Sequence, residues 1–304
     1  MTAGKPHILV LVGPTASGKS GLAIELAKLF DGEVISADSR QVYRGLTIGT
    51  GKVTKREMQR IPHHLLDVAS PTKTFSADDF VQLAQRAIED ITSRGKLPII
   101  TGGTGFYIDS LVGRITLPNV PPNKALRERL EKKSAAQLYK ELIKKDPRRA
   151  QMMDTPSERN NKVRLIRALE IAAHKQPAAP SRTPSYNTLW IGIAPTPEIL
   201  DAKILTRLKA RIKKGMVREA QTLHAAGLSY KRMIALGLEY RSLARLLQGT
   251  ISRKAFEDEL FIAIRRYAHK QQAYWKRNTD ITWYKPTDNK RIATQVKKWL
   301  ATLQ

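Results

Sequence analysis

One stretch constrains this chain more than any other: Gly13-Pro14-Thr15-Ala16-Ser17-Gly18-Lys19-Ser20, which fits G-x-x-x-x-G-K-[ST]. An apolar run, His7 to Val12, feeds it, and Leu22, Leu26 and Leu29 leave it at helical spacing. Strand, glycine-containing turn and amphipathic helix in that order make an anion cradle. Glycines let backbone N–H groups turn inward, and the free N–H groups and dipole of the next helix favour negative charge. Lys19 adds a point charge, and the Ser20 hydroxyl suits Mg²⁺. All eight residues are therefore expected to bind a phosphate ester, which the loop alone does not name.

The rest of the first third alternates strand and helix. Glu33 to Ala37, His64 to Val68 and Leu97 to Thr101 read as strands. Ser76 with Asp79 forms a capping box for a helix ending near Arg94. This alternation predicts an α/β fold: a parallel sheet flanked by helices. From Pro118 to about Pro184 the pattern turns helical, with Pro118, Pro121 and Pro122 at the entry and Gln176 to Pro184 at the exit. Leu189 to Ala194 is strand-like again. The expected organisation is thus a P-loop core over 1–117 and 188–304 with an all-helical insertion over 118–187. Beyond it, helices are expected over Pro197–Lys214, Gly215–Ala226, Leu238–Leu247 and Ser252–Asn278. A strand at Ile281–Tyr284 and a terminal helix follow.

Composition narrows the chemistry. With 53 Lys and Arg against 27 Asp and Glu, the net charge is +26, which attracts polyanions. Nucleic acid is the first candidate and an acidic membrane surface the second. There is no cysteine, so disulfides, Cys-ligated zinc, iron–sulfur clusters and thiol nucleophiles are excluded. His63 and His64 have no third partner at ligand spacing, so they read as structural or RNA-facing. No apolar run approaches the roughly 20 residues that span a bilayer, and Met1 to His7 does not read as a leader. A cytoplasmic protein without membrane attachment is expected.

Asp38 falls at the carboxyl end of the second strand, where open parallel sheets place ligands. It suits either a metal ligand or a proton acceptor. Lys203 and Arg207 stand four apart on one face of a predicted helix, and Arg266, Lys270 and Arg277 share a face of another. Such basic groups fix RNA phosphates, while Phe256, Leu260, Ile264 and Tyr267 form a stripe suited to the core.

The ordered set of motifs is recognisable. The phosphate loop is followed by Ile35-Ser36-Ala37-Asp38-Ser39-Arg40-Gln41-Val42-Tyr43 and Ile48-Gly49-Thr50-Gly51-Lys52. Next come Pro62-His63-His64-Leu65-Leu66-Asp67 and Phe75-Ser76-Ala77-Asp78-Asp79-Phe80. Last are Gly102-Gly103-Thr104-Gly105-Phe106-Tyr107 and Arg164-Leu165-Ile166-Arg167-Ala168-Leu169-Glu170. Over nearly its whole length the chain resembles the tRNA dimethylallyltransferases.

The resemblance implies a loop that cradles the diphosphate of dimethylallyl diphosphate, with Mg²⁺, and an insertion that grips the tRNA anticodon stem-loop. The acceptor would be N6 of the adenine just 3′ of the anticodon. Asp38 would be the base, with Lys19 in the catalytic set and Thr104 close to the reacting adenine. Family tRNA contacts fall on Asp38, Ser39, Arg40 and Gln41, and on Val163, Arg164, Leu165, Ile166 and Arg167. Arg266 and Lys270 are further RNA candidates. Family basic residues that meet the diphosphate fall on Lys203 and Arg207; lysine at the first position does not supply a bidentate clamp. Where the family has Lys-Arg-Gln and Thr-Trp, this chain has His269-Lys270-Gln271 and Ala273-Tyr274. A monomer is expected. Two other readings share the loop, a small-molecule kinase and a nucleic-acid-binding ATPase. The first fits the charge poorly, and the second lacks an apolar run ending in a carboxylate longer than Leu65-Leu66-Asp67.

Overall fold

The structure is a computed structural model and describes residues 5–118, 120–153, 155–174 and 186–302. Its sheet contains β1 (His7–Val12), β2 (Gly32–Ser36), β3 (His63–His64), β4 (Leu97–Thr101), β5 (Asn187–Ile193) and β6 (Thr282–Tyr284). They lie in the order β3-β2-β4-β1-β5-β6, every neighbouring pair parallel. Parallel neighbours need crossover connections, and helices supply them. With both faces covered, a central strand has no solvent side. That is why Ile8 to Val12 are all fully buried and read as a continuous apolar run.

One strand is shorter than its sequence suggests. The apolar stretch from His64 to Val68 predicts a ladder, but β3 ends at His64. Leu65 and Asp67 adopt positive φ of 63° and 56°, so the backbone leaves the extended region there. Elsewhere the boundaries agree within a few residues. The capping box is formed, with the Ser76 N–H donating to Asp79 Oδ2 at 2.8 Å and the Asp79 N–H to Ser76 Oγ at 3.1 Å. Helices Lys55–Met58, Gly105–Leu111 and Tyr230–Leu236 are too short to show a period and were not legible in the sequence.

The chain divides into two compact units: Met1–Ile115 with Pro184–Gln304, and Thr116–Thr183. In the first, helices Lys19–Leu29 and Asn289–Ala301 pack Leu22, Leu26, Ile292 and Val296 with Leu9, Leu11, Ile191 and Ile193 of the sheet. A separate core joins Val42, Tyr43 and Leu46 to the helices Pro197–Lys213 and Arg253–Trp275 through Leu200, Ile204, Leu208, Phe256 and Leu260.

The second unit is helical in its described residues, around Leu130, Leu138, Leu142, Leu165 and Leu169. Glu170 is buried at its centre. Burial works against its charge, yet Arg127, the Asn123 N–H and Arg167 together hold its carboxyl down to about 2. The proline-rich exit segment expected at Gln176 to Pro184 lies outside the described residues.

Candidate active site

The phosphate loop leaves the carboxyl end of β1. Gly13 has φ 147°, and a Cβ there would stand 2.6 Å from Ile193 O, so only glycine fits. No side chain caps helix Lys19–Leu29, leaving its first-turn N–H groups for an anion. Lys19 is only 8% exposed and donates to Pro14 O at 2.9 Å. Burial, aided by the nearby Arg207 charge and opposed by Asp38, pushes its pKa down to about 8. An incoming anion would relieve that stress by supplying the missing negative charge.

Asp38 follows β2 on the same edge. Its Oδ1 accepts from the N–H groups of Arg40 at 2.8 Å and Gln41 at 3.3 Å, an Asx-type turn that fixes the carboxylate. Its Oδ2 makes no hydrogen bond among the described residues. The loop after β4 meets this turn: Thr104 Oγ1 accepts the Ser39 N–H at 2.9 Å, and the Thr104 N–H returns to Ala37 O at 3.1 Å. A Cβ on Gly102 would lie 2.1 Å from Ala37 O, so the close approach requires glycine.

These parts enclose a cavity of about 70 Å³ lined by Lys19, Ser20, Asp38, Arg207, Tyr267 and Gln271, among others. It shares Lys19, Ser20, Val53 and Arg207 with a larger cleft of about 750 Å³. The cleft is rich in cations, including Lys52, Lys203, Arg211 and Lys214. Arg207 donates to Gly51 O at 2.8 Å, and burial followed by Arg211 lowers its pKa from the usual guanidinium value. The Thr47–Gly51 segment of the wall is pinned from behind. Glu219 accepts the N–H groups of Thr47, Ile48 and Gly49 at 3.0, 2.6 and 2.8 Å, and the Tyr240 hydroxyl at 2.7 Å. Arg211 donates to the Ile48 and Gly49 carbonyls and to Glu239.

The structure brings Thr15, Ala16, Gly18, Lys19, Ser20, Asp38, Gln41 and Arg207 together around these cavities, while Ser39 and Thr104, bonded to each other beside Asp38, line neither. Lys203 is an exposed residue in the wall of the larger cleft. Arg266 and Lys270 are exposed, and it is Tyr267 and Gln271 of the same helix that line the smaller cavity. In the helical unit Val163 is 73% exposed and Arg164 pairs with Glu158, while Leu165 and Ile166 are buried in the core. The side chains of those two pack inside the helical unit. Arg167 is committed to Glu170 and Val120 O. His64 bonds Glu33 and His63 bonds Ile61 O. No cluster of three or more metal-type side chains occurs among the described residues.

Gln271, Tyr267 and Glu219 were not singled out as site residues from the sequence. A weak signal existed for one: Gln271 continues the buried stripe Phe256, Leu260, Ile264, where a polar residue needs a specific partner. Nothing in the sequence near Glu219 points to a loop some 170 positions away.

Fold and site define a P-loop protein whose uncapped helix start stands beside a fixed carboxylate. The family model for IPP transferases matches residues 41–279. The chain is 42% identical to a tRNA dimethylallyltransferase of Treponema denticola, over 90% of this chain and 92% of the relative. It is 38% identical to one of Leuconostoc citreum over 96% and 99%. Among solved structures, the full-length tRNA isopentenylpyrophosphate transferase of Bacillus halodurans aligns with a TM-score of 0.73 and 32% identity, over 98% and 96% of the two chains. A eukaryotic dimethylallyltransferase acting on tRNA aligns at 0.79 with 26% identity, over 97% and 77%. The chain belongs to the tRNA dimethylallyltransferase (IPP transferase) family. No helix among its described residues is long and apolar enough to cross a membrane.

Proposed function

We propose that this chain transfers the dimethylallyl group of dimethylallyl diphosphate to N6 of the adenine just 3′ of the anticodon in tRNA, releasing diphosphate. The observation that carries this reading is the meeting of Lys19, Arg207 and the uncapped loop amides with the fixed Asp38 carboxylate around one cavity. Diphosphate leaves with charge spread over its oxygens, and the loop N–H groups, Lys19 and Arg207 stabilise that charge as the C–O bond breaks. The adenine amine is a poor nucleophile, so it has to be aligned and lose a proton as the C–N bond forms. Asp38 Oδ2 is free for that proton while Oδ1 is held by the turn. Thr104, fixed through Ser39, borders the acceptor side. The base has to leave the RNA stack to reach it.

Mg²⁺ fits the oxygen donors here: the Ser20 hydroxyl and the Thr101 hydroxyl, which is buried with no hydrogen-bond partner among the described residues. Bound there, the ion would neutralise charge on the leaving diphosphate. The net charge of +26 and the exposed cations Arg164, Arg266 and Lys270 suit an RNA partner, with the unit Thr116–Thr183 as the grip on the anticodon stem-loop.

The test is incubation of the chain with dimethylallyl diphosphate, Mg²⁺ and bulk tRNA, then nucleoside mass analysis. Adenosine carrying one dimethylallyl group is expected. Its absence, with label from γ-labelled ATP appearing on an acceptor instead, would favour a kinase and overturn the proposal.

A further inference from the structure

We infer that Glu219 is a positioning residue for the diphosphate site: its carboxylate fixes the Thr47–Gly51 turn, and that turn aims Arg207 at the ligand. The inference rests on the reading of the cavity beside Lys19 and Arg207 as the place where a diphosphate binds. Glu219 lies in the first turn of the helix Met216–Ala225 and lines neither cavity.

An ionised carboxylate accepts about four hydrogen bonds and donates none. On Glu219 both oxygens are filled. Oε2 takes the N–H groups of Thr47 at 3.0 Å and Ile48 at 2.6 Å. Oε1 takes the Gly49 N–H at 2.8 Å and the hydroxyl of the buried Tyr240 at 2.7 Å. Successive backbone N–H groups converging on one anion form a nest. Here the anion belongs to the protein, so the turn is shaped before any ligand arrives.

The order passes from the turn to Arg207. Ile48 O accepts the Gly51 N–H at 3.1 Å, and Thr47 O accepts the Lys52 N–H at 3.0 Å. Gly51, at φ 61°, presents its carbonyl to Arg207 at 2.8 Å, and a Cβ there would run into the guanidinium. Among the described residues that carbonyl is the hydrogen-bond partner of Arg207, which leaves its other N–H donors for a ligand in the cavities it lines. A long side chain held at one point moves when that point moves. The far end of the segment is tied separately, by Lys52 to Tyr43 O at 2.8 Å and to Asp67 at 2.6 Å. Loss of the Glu219 charge therefore loosens the turn and the guanidinium beyond it, while the segment keeps its place in the fold.

The experiment titrates inorganic diphosphate with Mg²⁺ into the full chain by calorimetry, in a double-mutant cycle of Glu219→Gln with Arg207→Met. Glu219→Gln keeps the shape but turns one acceptor oxygen into a donor, which faces backbone N–H groups whichever way the amide is turned. Affinity should fall about tenfold, the value of one charge-assisted hydrogen bond. In the Arg207→Met background, where Lys19 and the loop amides still hold diphosphate, the same change should bring no further loss. Transfer assays supply a matching split: KM for dimethylallyl diphosphate should rise about tenfold and KM for tRNA should stay unchanged. Tyr240→Phe removes one donor from the carboxylate and little volume. It should weaken diphosphate binding in the same direction, and it carries the cycle if Glu219→Gln does not fold. Unchanged diphosphate affinity in the folded variant, an equal loss with and without Arg207, or a KM that rises alike for both substrates overturns the role of Glu219. Failure of the wild-type chain to bind diphosphate at all would instead overturn the diphosphate reading, and this inference with it.

Discussion

Replacing Lys19 with methionine should make the ligand-free protein more stable while abolishing its function. Methionine keeps most of the lysine volume and removes the charge. Burial and Arg207 hold the ammonium at a pKa of about 8 in the folded state, against 10.5 for the ordinary side chain. That difference is a charging penalty of about 3 kcal/mol on the folded state at neutral pH. Losing the hydrogen bond to Pro14 O returns about 1 kcal/mol. The variant should therefore gain about 2 kcal/mol.

The gain has a pH signature. Below about pH 8 Lys19 is charged in both folded and unfolded chains, and the full penalty is present. Between there and 10.5 the unfolded chain binds more protons, so wild-type stability rises with pH and the advantage of Lys19→Met shrinks. Urea denaturation followed by tryptophan fluorescence at pH 7 and at pH 10 measures both values. Trp190 and Trp275 are buried and report the core. A variant no more stable than wild type at pH 7, or equally advantaged at both pH values, would refute the reasoning. Diphosphate affinity of the wild-type chain should fall above pH 8 for the same reason, as Lys19 loses its proton.

Asp38→Asn keeps the turn acceptor at Oδ1 but removes the proton acceptor, so single-turnover transfer should fall by about 10²–10⁴. Binding of dimethylallyl diphosphate with Mg²⁺ should stay near wild type; if it collapses too, Asp38 is a metal ligand. Affinity for an anticodon stem-loop should drop steeply as salt is raised, because each phosphate contact releases counterions. A flat response would mean that the +26 charge is not directed at RNA. Glu170→Gln should destabilise the helical unit by about 2 kcal/mol at pH 7, since its two arginines are only partly buried and remain solvated after the change. The Glu170 contribution is present above pH 4.5 and is lost as pH falls toward about 2, so the wild-type and variant units should exchange amide hydrogens alike in strong acid. Equal protection of the two at pH 7 would show that the ion pairs hold nothing.

Local chemistry was enough to locate one half of the site. The phosphate loop is contiguous, and its function depends on backbone N–H groups whose placement follows from strand, glycines and helix in order, so Gly13 to Ser20 could be read directly. Asp38 was legible for a related reason, because the end of a parallel strand is where ligands bind whatever the rest of the fold. Leu97 to Thr101 and Leu238 to Leu247 were legible because burial on both faces of a strand leaves a continuous apolar run, and burial on one face of a helix leaves a periodic one. The other half of the site is made by contacts across long sequence separations. Gln271 meets Thr15 and Gly103, and Glu219 meets the Thr47–Gly49 backbone, through single hydrogen bonds that leave no period or spacing behind. The same limit governs the helix Arg253–Trp275. The sequence marks Phe256, Leu260, Ile264 and Tyr267 as a core stripe and Arg266 with Lys270 as a basic face, but not what the end of that stripe meets. Rotation about the helix axis, set by how Phe256, Leu260 and Ile264 pack in the core, turns Tyr267 and Gln271 to the cavity and leaves Arg266 and Lys270 in solvent. Only tertiary packing decides that the stripe ends at a cavity, because that is a property of two surfaces meeting and not of either segment alone.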